Sequence, residues 1–182
     1  MSEPIPPRLR DARGSIPWLH ARYRFGEDCG HLAVPETGLT RLREMADEIV
    51  GSHDLVAIYI PDTTVTPHES AEELGRVVGT VQFVPIPLGR SERDYHSPDP
   101  VDGSRRWPYG WPCRVVHAPT PQQCPLLSDL VKEVYGPGAQ FQPFVAPLRY
   151  APMRLDEKMR GVLERYFAER RTSASRRLGD PV

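Results

Sequence analysis

Proline occupies 21 of the 182 positions of this chain, where about 5% is usual. A proline has no backbone N–H and clashes with the preceding turn, so it is tolerated at helix starts, strand edges and turns but not inside helices or central strands. A helical bundle is therefore excluded over most of the chain. Regular structure is confined mainly to the proline-free windows 18–34, 36–60, 68–84, 126–136 and 153–180.

Within those windows the apolar periodicity assigns elements. Residues 15–25 read as a first strand, with Arg22 and Arg24 alternating with Tyr23 and Phe25, and Pro17 restricting its start to an edge or an entry. Leu42, Met45, Ala46, Ile49 and Val50 form one stripe at helical spacing over about 40–50, with Thr40 as the expected cap and Gly51 as the stop. Residues 54–60 are a short β-branched run stopped by Pro61, and 76–86 form a second strand in which Gly79 signals a bulge or a close backbone approach. Residues 61–75 are a polar loop with one helical turn at Glu69–Leu74. A long loop covers 87–112, and 114–118 make a third short strand. Leu126, Leu127, Leu130, Val131 and Val134 predict a helix closed by Gly136, 141–150 a proline-broken edge strand, and 155–171 a final helix. Connections this short argue against a doubly wound parallel sheet. The expected fold is α+β, a small curved mixed β-sheet or open pseudo-barrel flanked by helices.

The length suits one domain, expected at 15–171, with a disordered lead-in at 1–14 and a basic flexible tail at 172–182. No apolar run approaches the ~20 residues that span a membrane, and the Pro- and Arg-rich N-terminus has no apolar signal region. A cytoplasmic protein with no membrane partner is expected. Three cysteines at irregular spacing, Cys29, Cys113 and Cys124, make no disulfide framework. Arginine is strongly favoured over lysine, with 23 cations in all and lysine only at Lys132 and Lys158. GC-rich coding favours both arginine and proline and accounts for that bias at large. Residues 26–81 carry 11 acids and three arginines, whereas both ends are basic. With a net charge of −1 the chain lacks the overall basicity of generic nucleic-acid binders.

The long loop is the most informative stretch. It holds Arg90, Arg93, Tyr95, His96, Asp99, Asp102, Arg105, Arg106, Trp107, Tyr109 and Trp111. A loop of this length is uncommon in a compact domain and is usually functional or disordered. Its tryptophans and tyrosines carry too much apolar surface for disorder. Flat aromatics beside arginines and a carboxylate can stack a nucleobase, bond its edge and hold a phosphate. The same aromatics would also serve to plug one end of a barrel.

Other chemistries find less support. There is no Gly-x-Ser-x-Gly elbow for a hydrolase, and the six histidines are scattered. Cys29 with His31 and Cys113 with His117 are zinc half-sites at most, and a strand would hold the second pair about 13 Å apart. No phosphate-binding loop or dinucleotide fingerprint is present, so no metal or other cofactor is expected.

The order of features resembles the PUA-like superfamily, and within it the EVE branch, relatives of the YTH and ASCH domains. Pro17-Trp18-Leu19-His20 stands where that branch begins with an aromatic-Trp-Leu strand. Leu42-Arg43-Glu44-Met45 follows on a short helix, then a strand running from Asp54 to Tyr59, then Val78-Gly79 opening the next strand. A loop rich in Tyr, Asp and Pro comes next (Asp94 to Pro100). It leads to Arg106-Trp107 and the strand at Cys113–Val116. The match covers about 15–170. It departs from the family after the first strand, where Ala21-Arg22-Tyr23 replaces the usual Lys-Ser-Glu-Pro, and at the end of the second, where Tyr59-Ile60-Pro61 replaces Tyr-His-Ser.

The resemblance implies a pseudo-barrel with a pocket similar to those that hold a modified nucleobase between aromatics. The expected activity is nucleic-acid binding, DNA or RNA, through a modified or flipped base rather than catalysis. Trp18 and Trp107 would stack the base, Tyr59, Tyr95 and Asp102 would line the pocket, and Arg105 and Arg106 would hold the adjacent phosphate. Two alternatives stand beside it. One is an ASCH-like ribonuclease or other hydrolase using His96 with Asp99 or Asp102 as the acid/base pair. The other is an adaptor that meets a protein partner through the 87–112 loop, since Trp, Tyr and Arg are enriched at interface hot spots.

Overall fold

Residues 14–26, 28–62, 71–98 and 102–177 are described by a computed structural model. The lead-in expected at 1–14 lies, apart from Gly14, outside the described residues, as do Asp99 and residues 178–182. In chain order the elements are β1 (Trp18–Ala21), β2 (His31–Val34), α1 (Leu39–Ile49), β3 (Val56–Tyr59), β4 (Val77–Phe83), β5 (Tyr109–His117), α2 (Leu127–Tyr135), α3 (Phe141–Val145), β6 (Met153–Arg154) and α4 (Glu157–Arg177). The strands form one sheet in the order β2-β5-β4-β3-β1-β6. It is mixed, because β1 runs parallel to β3 while every other neighbouring pair is antiparallel.

The sheet is curved, and specific residues curve it. β5 is shared lengthwise: Tyr109–Pro112 pair with β2, and Cys113–His117 pair with β4. The register slips between Ile58 and Tyr59 and again between Thr80 and Val81, and irregularities of this kind increase local twist and bend a strand. Arg22, one residue beyond β1, donates from Nη1 to the His31 carbonyl on β2 at 2.5 Å. Two strands far apart in the sheet order therefore come together, and the sheet is a half-barrel. Gly79 sits where a Cβ would lie 2.2 Å from the His117 carbonyl and 2.5 Å from the Phe25 ring, the close approach that a glycine within a strand predicts.

Alternate residues of the central strands feed two cores. Trp18, Val56, Ile58 and Ile60 pack with Leu42, Met45, Ala46 and Ile49 of α1. Leu19, Ala57 and Tyr59 pack on the other face with Leu127, Leu130 and Val131 of α2 and Met159, Leu163 and Phe167 of α4. Burial on both faces explains why β3 is apolar throughout.

The helices with clear apolar stripes form where the periodicity places them. The structure begins α1 at Leu39, one residue before Thr40, because a 3-10 turn at Glu36–Gly38 leads into it; Thr40 is inside the helix and does not cap it. Gly51, at φ +81°, follows its end as expected. Asp156 caps α4, its Oδ1 accepting the Met159 N–H at 2.9 Å, while its Oδ2 accepts the Tyr135 hydroxyl at 2.5 Å. These bonds, the Met159 N–H first, hold the Asp156 carboxyl below the usual carboxylate range. Asp156→Ala is expected to cost about 1 kcal/mol, read as a drop of roughly 2–4 °C in melting temperature.

Several readings of the sequence are corrected. The strand expected at 114–118 begins already at Tyr109, inside the expected loop, because Pro112 sits where β5 passes from one partner strand to the other. The first strand ends at Ala21, and the alternation at Arg22–Phe25 belongs to a connection that turns at Gly26, where the Cys29 N–H bonds its carbonyl. β2, only four residues between Gly30 and Pro35, is too short for period 2 to signal. Residues 141–150 are not an edge strand but α3 and a 3-10 turn at Ala146–Arg149. Pro143 and Pro147 each fall in a first turn, where a missing N–H costs nothing. The helical turn expected at 69–74 is a 3-10 turn at Ala71–Glu73, and α4 runs on into the residues expected as tail, to Arg177.

Candidate functional site

The long loop is held against the sheet at several points. A 3-10 turn spans Glu92–Tyr95, with Ser91 and Asp94 forming a reciprocal capping box. Glu92 pairs with Arg43 of α1 at 2.7 Å, and that ion pair holds the Glu92 carboxyl below its ordinary range. The Ser97 N–H bonds the Trp107 carbonyl at 3.0 Å, drawing the two arms of the loop together. Ser97 Oγ meets His31 Nε2 of β2 at 2.9 Å. Burial, then Arg22 and His96, lower the His31 pKa, so this imidazole is neutral near pH 7. Gly110 of β5 lies directly under the loop, where a Cβ would stand 2.0 Å from the Tyr95 carbonyl and 2.7 Å from the Leu32 carbonyl.

This scaffold presents a small open recess of about 140 Å³ lined by Arg93, His96, Arg105, Pro108 and Tyr109. The Arg93 guanidinium lies 5.6 Å from the centre of the Tyr109 ring. Trp107 follows Arg106 in the chain. Its ring packs against Tyr23 at 5.1 Å with a 55° tilt, and Arg106 lies over it at 5.4 Å. Among the described residues neither Arg93 nor Arg105 has a carboxylate partner. Two unneutralised guanidiniums, a histidine and a ring edge suit a phosphate with a planar group beside it. The volume is well under the ~300–1,000 Å³ of sites that enclose a whole small molecule.

The structure gathers some of the sequence candidates and scatters others. Arg105, Arg106 and Trp107 lie together on the loop, with Tyr95 half-buried beneath it. Trp18 is elsewhere. It is 1% exposed in the core against α1, its Nε1 donates to Glu48 at 3.2 Å, and Arg41 and Arg154 lie over its ring. Tyr59 is buried on the opposite face of the sheet, edge-on to Phe141; burial raises its pKa. Trp18 and Tyr59 lie in separate cores on opposite faces of the sheet, and neither lines the recess. Asp102 is exposed and accepts the Ser104 N–H at 2.8 Å, which lowers its pKa and keeps it ionised.

Trp111 belongs to the barrel plug, with its Nε1 donating to the Val84 carbonyl and its ring stacked on Phe83 at 6.2 Å. His96 Nδ1 lies 3.1 Å from the Arg93 carbonyl. Tyr23 has no signal of its own in the sequence, because its alternation with arginines reads as a strand. Among the described residues no cluster of metal-ligating side chains occurs, and no helix is long and apolar enough to cross a membrane. No family model matches the chain, and no curated protein matches it.

Proposed function

We propose that this chain is a nucleic-acid-binding module of PUA-like type, which grips the backbone in the recess at Arg93 and Arg105 and stacks a base beside it. The observation that carries this reading is the pair of guanidiniums without carboxylate partners, set around Tyr109 and adjoining the Tyr23–Trp107 pair. Arginine holds phosphate bidentately, and aromatic faces stack any base. A recess this small takes a phosphate or one ring edge, so the base lies against Trp107 rather than inside an enclosed cage. Selectivity for a modified or flipped base would then come from Trp107 and from whatever reaches its edge, with Arg106 moving aside. The curved half-barrel flanked by helices is the fold that the PUA-like resemblance implies.

The ribonuclease reading has less to support it among the described residues, since His96 Nδ1 faces a backbone carbonyl and Asp102 is engaged with Ser104, while Asp99 lies outside them. The test is fluorescence anisotropy with labelled single-stranded and duplex RNA and DNA, with and without modified bases, across a salt series. Arg93→Glu combined with Arg105→Glu is expected to weaken binding at least tenfold. It should also reduce the salt slope by about 0.7 for each phosphate of a single strand that is no longer neutralised. Trp107→Ala is expected to cost about 1–2 kcal/mol. Undiminished affinity and slope in the double variant would overturn the assignment. Capture of a stoichiometric protein, with no oligonucleotide bound, would favour the adaptor.

A further inference from the structure

A second group of reactive side chains lies at the seam where the half-barrel nearly closes. Cys29 and Cys113 are 84 residues apart in sequence and meet in the α1-side core, each 7% exposed. The Cys113 N–H bonds the Gly30 carbonyl at 2.9 Å, which sets Cys113 directly across from the residue after Cys29. The Cys113 thiol donates to the Cys29 carbonyl at 3.9 Å. Gly30 is the residue paired with Cys113, so Cys29 sits one position off across the seam, and it is the approach of the Cys113 sulfur to the Cys29 backbone that brings the two thiols within reach of a disulfide. Arg22 Nη1 donates to Cys29 Sγ as well as to the His31 carbonyl.

We propose that Cys29 is an oxidation site for hydroperoxides and that Cys113 is the thiol that resolves it to an intramolecular disulfide. The Cys29 thiolate attacks one peroxide oxygen and the O–O bond breaks. Hydroxide or alkoxide leaves and takes up a proton, and Cys29 becomes a sulfenic acid. Cys113 then gives up its proton and attacks the Cys29 sulfur. The S–O bond breaks and water departs. Two thiols lose two electrons, and the peroxide is reduced to water and water or alcohol. Thiolate, not thiol, is the nucleophile in such chemistry.

The surroundings favour that state on Cys29 and not on Cys113. The hydrogen bond from Cys113, then Arg22 and the backbone at His31, bring the Cys29 pKa down to about 7 against the opposing effects of burial and Asp28. The Cys113 pKa is raised, by its bond to Cys29 and by burial. Cys124 is an internal control: it is buried, and its thiol donates to the Thr120 and Pro119 carbonyls.

The test treats the full chain with a small excess of hydrogen peroxide, then denatures it, alkylates free thiols and maps peptides without reduction. The expected product is a Cys29–Cys113 cross-linked peptide with Cys124 alkylated. In Cys113→Ser, dimedone is expected to label Cys29 as a trapped sulfenic acid. Before oxidation, the alkylation rate of native Cys29 is expected to inflect near pH 7. Arg22→Gln should slow it about tenfold at that pH, with Arg22→Lys restoring most of the rate. The wild-type map needs no variant to fold. If Cys29 is oxidised no faster than Cys124, or only without a cross-link to Cys113, the proposal is overturned.

Discussion

Gly110→Ala is expected to destabilise the protein by about 3 kcal/mol, the upper part of the range for overpacking, lowering the melting temperature by roughly 6–12 °C. The new methyl would meet two backbone carbonyls, those of Tyr95 and Leu32. Neither can swing away as a flexible side chain would, because Leu32 is paired with Trp111 in the sheet and Tyr95 ends the capped turn over the recess. Something must give, and the loop is the softer partner. The substitution should therefore also displace Arg93 and His96 and weaken any anion held between them. Gly138→Ala, where a Cβ has open space around it, is the control and should change neither stability nor binding. A Gly110→Ala protein as stable as wild type would show that the loop does not lie on β5 as described.

The second large effect concerns acid. His20 is buried on β1, and neither ring nitrogen has a hydrogen-bond partner of ordinary geometry. Burial first, then the positive charge of Arg22, lower its pKa from 6.5 to about 3; the Ala33 carbonyl opposes them and is outweighed. Between those values the unfolded chain takes up a proton that the folded chain refuses, so stability rises with pH across that window and is lost as pH falls through it. At about 1.36 kcal/mol per unit, this one group removes about 3 kcal/mol between pH 6.5 and 4. His20→Leu, similar in bulk and unable to titrate, should flatten that acid limb while keeping the stability at pH 7. Denaturant titrations of both proteins at a series of pH values measure it. An equal loss in the two proteins would mean that His20 is not the group responsible.

What could be read from the sequence follows from how local each signal is. The stripe at Leu42, Met45, Ala46 and Ile49 announces α1, and Leu163 with Phe167 announces α4, because a helix is written by neighbours three and four residues apart. Strand order is not local. That β5 would divide itself between β2 and β4 could not be read from Pro108 and Pro112, which mark a loop by their composition. Proline also misled at 143 and 147, where a break in a strand and the first turn of a helix look alike in sequence.

The site divides the same way. Arg105, Arg106 and Trp107 are adjacent in sequence and remain together in space. Trp18 suited a stacking role by residue type, but its strand is covered on both faces, and its own arginines already occupy the ring. Cys29 and Cys113 show no spacing that ties them, and only the pairing of Gly30 with Cys113 brings them together.

The place of β1 in the sheet has a consequence for the order of assembly during synthesis. Of the six strands described, Trp18–Ala21 is the first to be synthesised, yet it lies between β3, which pairs it from Val56, and β6, which pairs it through Met153 and Arg154. One edge of the nascent sheet thus stays open until Arg154 has emerged, with its backbone donors and acceptors available to other chains. A ribosome paused between the codons for Tyr59 and Met153 holds a chain whose sheet lacks its last edge. Emergence of Met153 and Arg154 is the event that covers the open side of β1.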